Sequence, residues 1–205
     1  YYKIHRKMKE RFEWVQSWCD EALSDDLPRV LLIGDSITRQ YQDRVRELLR
    51  GKCYVDYFSS SYAADSPLYR TLIKAFIGDS KYSVIHFNNG LHGFHVGKRT
   101  YKSRLKKLLK AFPNDCKVIL ASTTFVFEEG NVIPDKAWGK RVSERNAAID
   151  ELSEEFGFPI DDLYSVSKTI DASGRSIDGT HFNEEGVDIL TDSVVKSILN
   201  VWDNQ

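Results

Sequence analysis

Short apolar runs alternate with longer amphipathic stretches along this chain. Runs rich in valine, isoleucine and aromatic residues predict four β-strands, at residues 29–33, 53–58, 82–87 and 117–122, and a weaker fifth at 158–163. Between them, apolar residues recur at helical spacing, as Tyr41, Val45 and Leu48 do. This spacing predicts helices over residues 38–49, 100–112 and 137–156, and a last helix that begins after Asn183.

The alternation of strand and helix predicts an α/β fold, in which helices cover both faces of a parallel sheet of about five strands. Ligands of such sheets bind beyond the carboxyl ends of the strands. A chain of 205 residues suits one well-buried core, so residues 29–205 are predicted to form a single domain. Residues 1–28, which include Trp14 and Trp18, are predicted to form an amphipathic helical extension packed on it.

Candidate catalytic residues stand in two segments whose loops should meet in this fold. The sequence Gly34-Asp35-Ser36-Ile37 follows the first predicted strand, and Asp178-Gly179-Thr180-His181 precedes the last helix. A serine hydroxyl needs an imidazole to take its proton and a carboxylate to orient that imidazole. The two segments supply all three groups and therefore predict acyl transfer, although each alone would also fit a helix cap or a turn.

Three blocks of the sequence resemble those of the SGNH, or GDSL-type, hydrolases. They are residues 34–37, the run Asn88-Asn89-Gly90 after the third strand, and Asp178-x-x-His181. The resemblance extends over residues 29–199 and implies a three-layer α/β/α, flavodoxin-like fold. This fold agrees with the strand and helix alternation of the chain.

The resemblance also implies the catalytic roles. Ser36 would be the nucleophile, His181 the general base and then the general acid, and Asp178 the partner that orients the imidazole. Such a triad needs no metal and no organic cofactor, so none is expected.

The family builds its oxyanion hole from the serine amide, a glycine amide in a second block and an asparagine side chain in a third. In this chain the resemblance implies the amides of Ser36 and Ala64 and the side chain of Asn88. Ala64 stands where glycine is usual, so the amide of Ala63 or Ser61 remains an alternative donor. Asn88 is followed by a second asparagine, which competes for the same role.

Four further residues are predicted to contact substrate, namely Asp35, Asn89, His92 and Trp138. Many members of the family remove acetyl groups from glycans, and aromatic rings such as that of Trp138 offer flat faces to sugars. The resemblance therefore favours a small, acetyl-type ester on a carbohydrate. Acyl-thioester and lysophospholipid substrates remain open, as does a sugar O-acetyltransferase, since water and a sugar hydroxyl compete for the same acyl-enzyme. A non-catalytic glycan-binding domain is the alternative of another class.

Two clusters of basic side chains offer rival interpretations. His86, His92 and His95 fall within ten residues and suggest a zinc hydrolase, but the segment has no HExxH motif and no acidic residue, so no metal is predicted. The lysines and arginines between residues 98 and 110 are interpreted as the solvated face of an amphipathic helix rather than a nucleic-acid site. The charge of the whole chain agrees, because its 29 basic and 30 acidic residues nearly cancel.

The cysteines and the apolar segments limit which other classes of function the chain can have. Cys19, Cys53 and Cys116 are widely spaced, which argues against a disulfide framework or a zinc ribbon. No apolar stretch approaches the roughly 20 residues that span a bilayer, so no membrane partner is expected. The chain begins at Tyr1, which leaves open both an exported protein whose signal segment is missing from this sequence and a cytoplasmic one. The oligomeric state also stays open.

Overall fold

The computed structural model of the protein describes residues 9–130 and 134–203. The strands in these ranges are β1 (Val15–Trp18), β2 (Arg29–Gly34), β3 (Tyr54–Ser60), β4 (Val84–Phe87), β5 (Lys117–Ala121) and β6 (Ile160–Asp161). The α-helices are α1 (Ser36–Leu48), α2 (Pro67–Ile77), α3 (Lys98–Leu109), α4 (Lys136–Phe156), α5 (Leu163–Thr169) and α6 (Glu184–Asp203). A short 3-10 helix covers Ala172–Gly174.

The described strands form one sheet in the order β1-β3-β2-β4-β5-β6. Neighbours from β3 to β6 run parallel, whereas β1 pairs antiparallel with β3. Side chains alternate across the sheet, so Leu31 and Ile33 pack with α2, α3 and α4, while Val30 and Leu32 pack with α1 and α6. The predicted three-layer α/β/α fold is confirmed, with six strands in the described ranges where about five were predicted.

The segment before β2 differs from its prediction. Instead of an amphipathic helix, residues Val15–Trp18 form the edge strand β1. The helical prediction is therefore wrong for the described part of residues 1–28, and residues 1–8 lie outside the described ranges. Trp14, which suggested an apolar helix face, lies against Arg39 of α1, with 4.6 Å between the guanidinium carbon and the ring centroid. Pairing with the edge of β3 and this cation–π contact outweigh the local helical pattern.

The other predicted elements are confirmed with bounds shifted by a few residues, and two helices were missed. Both missed helices begin at a capping signal. Ser66 caps α2, and Pro67 follows in its first turn. Asp162 caps α5 by accepting a hydrogen bond from the Ser165 amide. Because α5 starts at Leu163, the predicted fifth strand is reduced to the two residues of β6.

Lysines of α3 face acidic residues of α4. The Lys98 ammonium lies 2.6 Å from Glu151, Lys102 pairs with the same carboxylate, and Lys106 pairs with Glu155. Hydrogen bonds from Lys102 and Lys98 lower the pKa of Glu151 to about 2. Three lysines of the basic run are therefore matched by acidic residues of the neighbouring helix, as expected for the polar face of an amphipathic helix, and the absence of a nucleic-acid partner stays a prediction.

Two features of the described residues bear on the compartment and membrane predictions, which stay open. Within residues 9–130 and 134–203, none of the helices combines the length and the apolar character needed to cross a bilayer. The three cysteines carry free thiols, and burial raises the pKa of Cys53 and Cys116 to about 12. These two thiols are therefore not reactive thiolates at neutral pH.

Candidate active site

The turn between β2 and α1 places Ser36 at the carboxyl edge of the sheet. Asp35 is the N-cap of α1, and its carboxylate accepts a hydrogen bond of 3.0 Å from the Ile37 amide. A Cβ atom on Gly34 would lie 1.8 Å from the Thr38 hydroxyl oxygen, so the turn requires glycine there. Ser36 thus lies in the first turn of a helix, where free backbone amides and the helix dipole favour negative charge.

His181 bridges the serine and a carboxylate. Its Nε2 atom lies 2.8 Å from Ser36 Oγ, and its Nδ1 atom lies 2.6 Å from Asp178 Oδ2. The other carboxylate oxygen, Asp178 Oδ1, accepts hydrogen bonds of 2.9 Å from the amides of Thr180 and His181. The structure therefore brings the three predicted triad residues together, although Ser36 and His181 are 145 positions apart in the chain.

The environment of Asp178 favours its ionised form. Burial alone would raise the pKa of this carboxyl group, but hydrogen bonds from His181 and Thr180 lower the pKa below its ordinary value of 3.8. Because the pKa is lowered in the folded state, the resulting stabilisation is present above pH 3.8 and is lost as the pH falls through the folded-state value. The charge that faces His181 is therefore present throughout the neutral range.

Two contacts hold residues 178–182, which we call the histidine loop. Gln40 of α1 donates to the Phe182 carbonyl at 2.7 Å and accepts from the amide of the same residue at 3.2 Å. Gly179 has a φ of +73°, and a Cβ atom there would lie 2.2 Å from the Phe127 carbonyl oxygen. Only glycine fits this position, and packing on both sides fixes the histidine loop relative to α1.

Residues 88–93 follow β4 and form what we call the asparagine loop. The Asn88 amide donates a hydrogen bond of 2.8 Å to the Ile33 carbonyl, which places Asn88 beside the strand that leads to Ser36. The Asn88 side chain is buried beside the Tyr41 hydroxyl, and its hydrogen bond opposes the rise that burial causes in the pKa of Tyr41. The Asn89 side chain is buried beside the Tyr69 hydroxyl in the same way, and the choice between the two asparagines as oxyanion donor stays a prediction.

Ala64 lies between β3 and α2, in a segment that adjoins the asparagine loop. Gly93 packs closely on this segment, since a Cβ atom at Gly93 would lie 2.3 Å from Ala63 Cβ. The Ser61 amide already donates to the Trp14 carbonyl at 3.2 Å, which removes Ser61 as an alternative oxyanion donor. The role of the Ala64 amide, with Ala63 as its alternative, stays a prediction.

No protein-family model and no curated protein matches this sequence. Solved structures with low sequence identity share its fold. A GDSL-like lipase from Bacteroides thetaiotaomicron has a TM-score of 0.68 and 17% identity, over 88% of this chain and 95% of that chain. The C-terminal catalytic domain of peptidoglycan O-acetyltransferase A from Streptococcus pneumoniae has a TM-score of 0.66 and 18% identity, over 86% of this chain and 96% of that chain. A variant of an acetyl-xylooligosaccharide esterase from Geobacillus has a TM-score of 0.66 and 18% identity, over 83% of this chain and 94% of that chain.

The chain has the SGNH hydrolase fold. In this SGNH fold, Asp35 is turned away from solvent, with 0% of its surface exposed. Its Oδ2 atom accepts hydrogen bonds of 3.2 Å from the amides of Gly90 and Leu91. The prediction that Asp35 contacts substrate is therefore wrong, because its carboxylate joins the nucleophile turn to the asparagine loop. Asn89 is 2% exposed, and its contact with substrate stays a prediction.

His92 and Trp138 have different surroundings in the SGNH fold. The His92 Nδ1 atom lies 3.0 Å from Glu10 Oε2, and 15% of the His92 side chain is exposed. Burial lowers the pKa of His92, but the hydrogen bond with Glu10 and the negative charges of Asp35, Glu10 and Glu13 together outweigh it and raise the pKa above its ordinary value of 6.5. The half-buried Trp138 ring lies 4.8 Å from that of Phe94, which is 44% exposed. Both substrate contacts stay predictions.

The three histidines that suggested a zinc site pair with three different carboxylates. His86 is buried 2.9 Å from Asp161, and His95 lies 3.1 Å from Asp65, while His92 pairs with Glu10. Within the described ranges, no three histidine, cysteine, aspartate or glutamate side chains form a group that could hold a metal ion. The alternative reading of these histidines as one metal cluster is therefore not supported by their positions.

Sequence reasoning missed three residues that hold the catalytic loops. Gln40 binds the histidine loop, and both Glu10 and Arg145 bind the asparagine loop. Glu10 Oε1 accepts a hydrogen bond of 3.0 Å from the Gly93 amide. These contacts join residues that are 142, 83 and 52 positions apart, so no local pattern in the sequence could have revealed them.

Proposed function

We propose that this chain is a serine esterase of the SGNH hydrolase family. The observation that carries the proposal is the unbroken hydrogen-bonded series from Ser36 Oγ through His181 to Asp178 Oδ2, with distances of 2.8 and 2.6 Å. One ring nitrogen faces the nucleophile, and the other faces a carboxylate. This is the arrangement that general-base activation of a serine requires.

Acylation and deacylation use the same groups. Ser36 Oγ attacks the ester carbonyl carbon while His181 Nε2 takes the hydroxyl proton, and the carbonyl π electrons move onto the oxygen. The amides of Ser36 and Ala64 and the side chain of Asn88 donate hydrogen bonds to this oxyanion. The bond to the alcohol then breaks, and the alcohol leaves with the proton from His181. Water repeats both steps on the acyl-enzyme, which releases the acid and restores the serine.

The proposed acyl group is small, such as acetyl, and two similar structures, an acetyl-xylooligosaccharide esterase and a peptidoglycan O-acetyltransferase, support it by their names. A long acyl chain needs an apolar trough beside the nucleophile, whereas an acetyl group needs little space beyond the oxyanion hole.

Two lines of support favour a carbohydrate as the alcohol part of the ester. The similar structures include an acetyl-xylooligosaccharide esterase and a peptidoglycan O-acetyltransferase. In addition, the rings of Phe94 and Trp138 form an edge-to-face pair, and Phe94 is partly exposed, with the Arg141 guanidinium carbon 5.3 Å from its ring centroid. Aromatic rings of this kind present apolar faces, and their polar surroundings can bind hydroxyl groups. An acetylated glycan is therefore the proposed substrate class.

Acyl-chain selectivity tests the proposed function. We expect hydrolysis of p-nitrophenyl acetate with a kcat/KM at least about tenfold above that for the octanoate ester, because each unaccommodated methylene weakens binding in the transition state. The butyrate ester should fall between them. Initial rates for the three esters, measured with wild type and with Ser36→Ala as the control for background hydrolysis, give this comparison directly.

Three outcomes of that assay would contradict parts of the proposal. Preference for octanoate would exclude the small acyl group. Turnover that persists in Ser36→Ala but is lost with a metal chelator would exclude the serine mechanism. If a sugar acceptor is added and the product is an acetylated sugar rather than free acetate, the protein is an O-acetyltransferase that uses the same acyl-enzyme.

The two adjacent asparagines can be separated by substitution. We expect Asn88→Ala to lower kcat by about 100- to 1000-fold, with KM little changed, because it removes one oxyanion donor. Asn89→Ala deletes the same amide at the next buried position and serves as the matched control, with a much smaller expected loss. Steady-state kinetics on p-nitrophenyl acetate and thermal unfolding should be measured for both. A larger loss in Asn89→Ala would assign the donor to Asn89.

A further inference from the structure

A buried arginine holds the asparagine loop. Arg145 of α4 is 0% exposed. Its guanidinium donates hydrogen bonds to the carbonyls of Gly90, His92 and Gly93, the last two at 2.9 and 2.7 Å. All the side-chain hydrogen bonds of Arg145 with the described residues go to this loop, although its Nε atom is buried without such a partner. A buried cation is unfavourable unless its donors are satisfied, so these charge-assisted bonds strongly favour one loop conformation.

Arg145 and Asp35 act on the same peptide unit. The Gly90 carbonyl accepts from Arg145, and the Leu91 amide of that peptide donates to Asp35 Oδ2 at 3.2 Å. In a trans peptide the C=O and N–H bonds point in opposite directions. The peptide is therefore held between a buried cation and a buried anion. A Cβ atom on Gly90 would lie 1.8 Å from the Thr123 hydroxyl oxygen, so the backbone can approach this closely only with glycine.

Asp35 connects this peptide to the nucleophile. While Oδ2 binds the asparagine loop, Asp35 Oδ1 accepts a hydrogen bond of 3.0 Å from the Ile37 amide, in the turn that carries Ser36. Asn88 lies two residues before Gly90, at the start of the same loop. The Asn88 amide is held by its hydrogen bond to the Ile33 carbonyl, and the contacts of Arg145 and Asp35 hold the loop that continues from Asn88.

We propose that Arg145 is a positioning residue for the oxyanion hole, which acts on the reaction by setting the position of the Asn88 side chain and does not touch substrate. This inference rests on the proposed function. Oxyanion donors must lie at about 2.7–3.1 Å from the oxygen they stabilise, and a displacement of about 1 Å can lower a rate about 100-fold. The planar guanidinium can reach three carbonyls at once, whereas the single nitrogen of a lysine cannot reproduce that fork.

A double-mutant cycle tests the inference. We expect Arg145→Lys to lower kcat on p-nitrophenyl acetate by about 10- to 100-fold, with KM changed by less than about threefold. In the Asn88→Ala background, the same substitution should change kcat by less than about threefold, because the donor that Arg145 positions is already absent. Arg50→Lys makes the same chemical change at an exposed position just beyond α1 and should leave kcat unchanged.

Two results would overturn the inference. If the double variant loses kcat by the product of the losses in Arg145→Lys and Asn88→Ala, Arg145 acts through another group or through folding in general. If Arg145→Lys retains the wild-type kcat, the contacts do not matter for the reaction. A wild-type protein without Ser36-dependent turnover is a different result, since it contradicts the proposed function itself.

A second substitution, Tyr101→Phe, tests the inference if Arg145→Lys does not fold. The Tyr101 hydroxyl donates to the Asn89 carbonyl, and its ring centroid lies 5.2 Å from the Arg145 guanidinium carbon. Tyr101→Phe removes one hydrogen bond to the asparagine loop and keeps the ring. Tyr101→Phe should lower kcat less than Arg145→Lys does, and it should have no further effect on kcat in the Asn88→Ala background. If the double variant instead loses kcat by the product of the two single losses, the inference is overturned.

Discussion

Ser36→Ala is expected to lower kcat for p-nitrophenyl acetate by about three to six orders of magnitude, because it removes the atom that forms the acyl-enzyme. The fold should survive. Asp35, not Ser36, caps α1, and alanine is the best helix former. The hydrogen bond lost is that between Ser36 Oγ and His181, which contributes about 1 kcal/mol to stability.

The control for this prediction is Ser103→Ala, which makes the same change at an exposed position of α3. Wild type and Ser103→Ala should have equal kcat, and all three proteins should show cooperative thermal unfolding. Mass spectrometry after treatment with a sulfonyl fluoride should show one adduct in wild type and none on Ser36→Ala. More than about a tenth of wild-type activity in Ser36→Ala would place the nucleophile elsewhere.

Asp178→Asn is expected to lower kcat by about 10⁴-fold while it preserves the shape of the side chain. The carboxylate accepts the Nδ1 proton of His181 across 2.6 Å, so the free Nε2 electron pair faces Ser36. An asparagine amide can instead donate to Nδ1. The imidazole would then carry its proton on Nε2, where it cannot accept the serine proton.

A matched control and a pH series accompany this prediction. Asp192→Asn makes the same change at an exposed position of α6 and should leave kcat unchanged. Because hydrogen bonds lower the pKa of Asp178 below 3.8, Asp178 stays ionised in the neutral range, and its protonation does not account for a loss of wild-type activity there. If Asp178→Asn keeps kcat within about tenfold of wild type, Asp178 does not set the histidine tautomer.

The N-terminal segment illustrates where a local pattern misleads. Trp14 and Trp18 have a spacing that suits an apolar helix face, yet the chain between them forms strand β1. The reason is a partner distant in sequence, since the Trp14 amide donates to Ser61 Oγ at 2.8 Å, 47 positions away. Strand formation depends on such partners more than helix formation does, so periodicity alone favours the wrong element here.

The core strands illustrate the opposite case. All six residues of β2 are buried, and so are all four of β4, which matches their nearly continuous apolar sequence. Parallel strands with helices on both faces need such runs, so sequence pattern was enough to predict the layers and the carboxyl edge where the site lies. The capping signals at Ser66 and Asp162 were also present in the sequence but were overlooked.

Local pattern was thus sufficient for the core strands and the helices that alternate with them from residue 29 onward, apart from the two missed helices, and with the family resemblance it singled out Ser36, Asp178 and His181 as the candidate triad. Those residues stand at strand ends and helix starts, which periodicity and capping chemistry mark along the chain. The roles of Asp35 and Arg145 depended on the folded chain. Their side chains are buried charges whose partners in the asparagine loop lie 52 to 56 positions away, and such burial is favourable only where backbone groups from that loop converge on them.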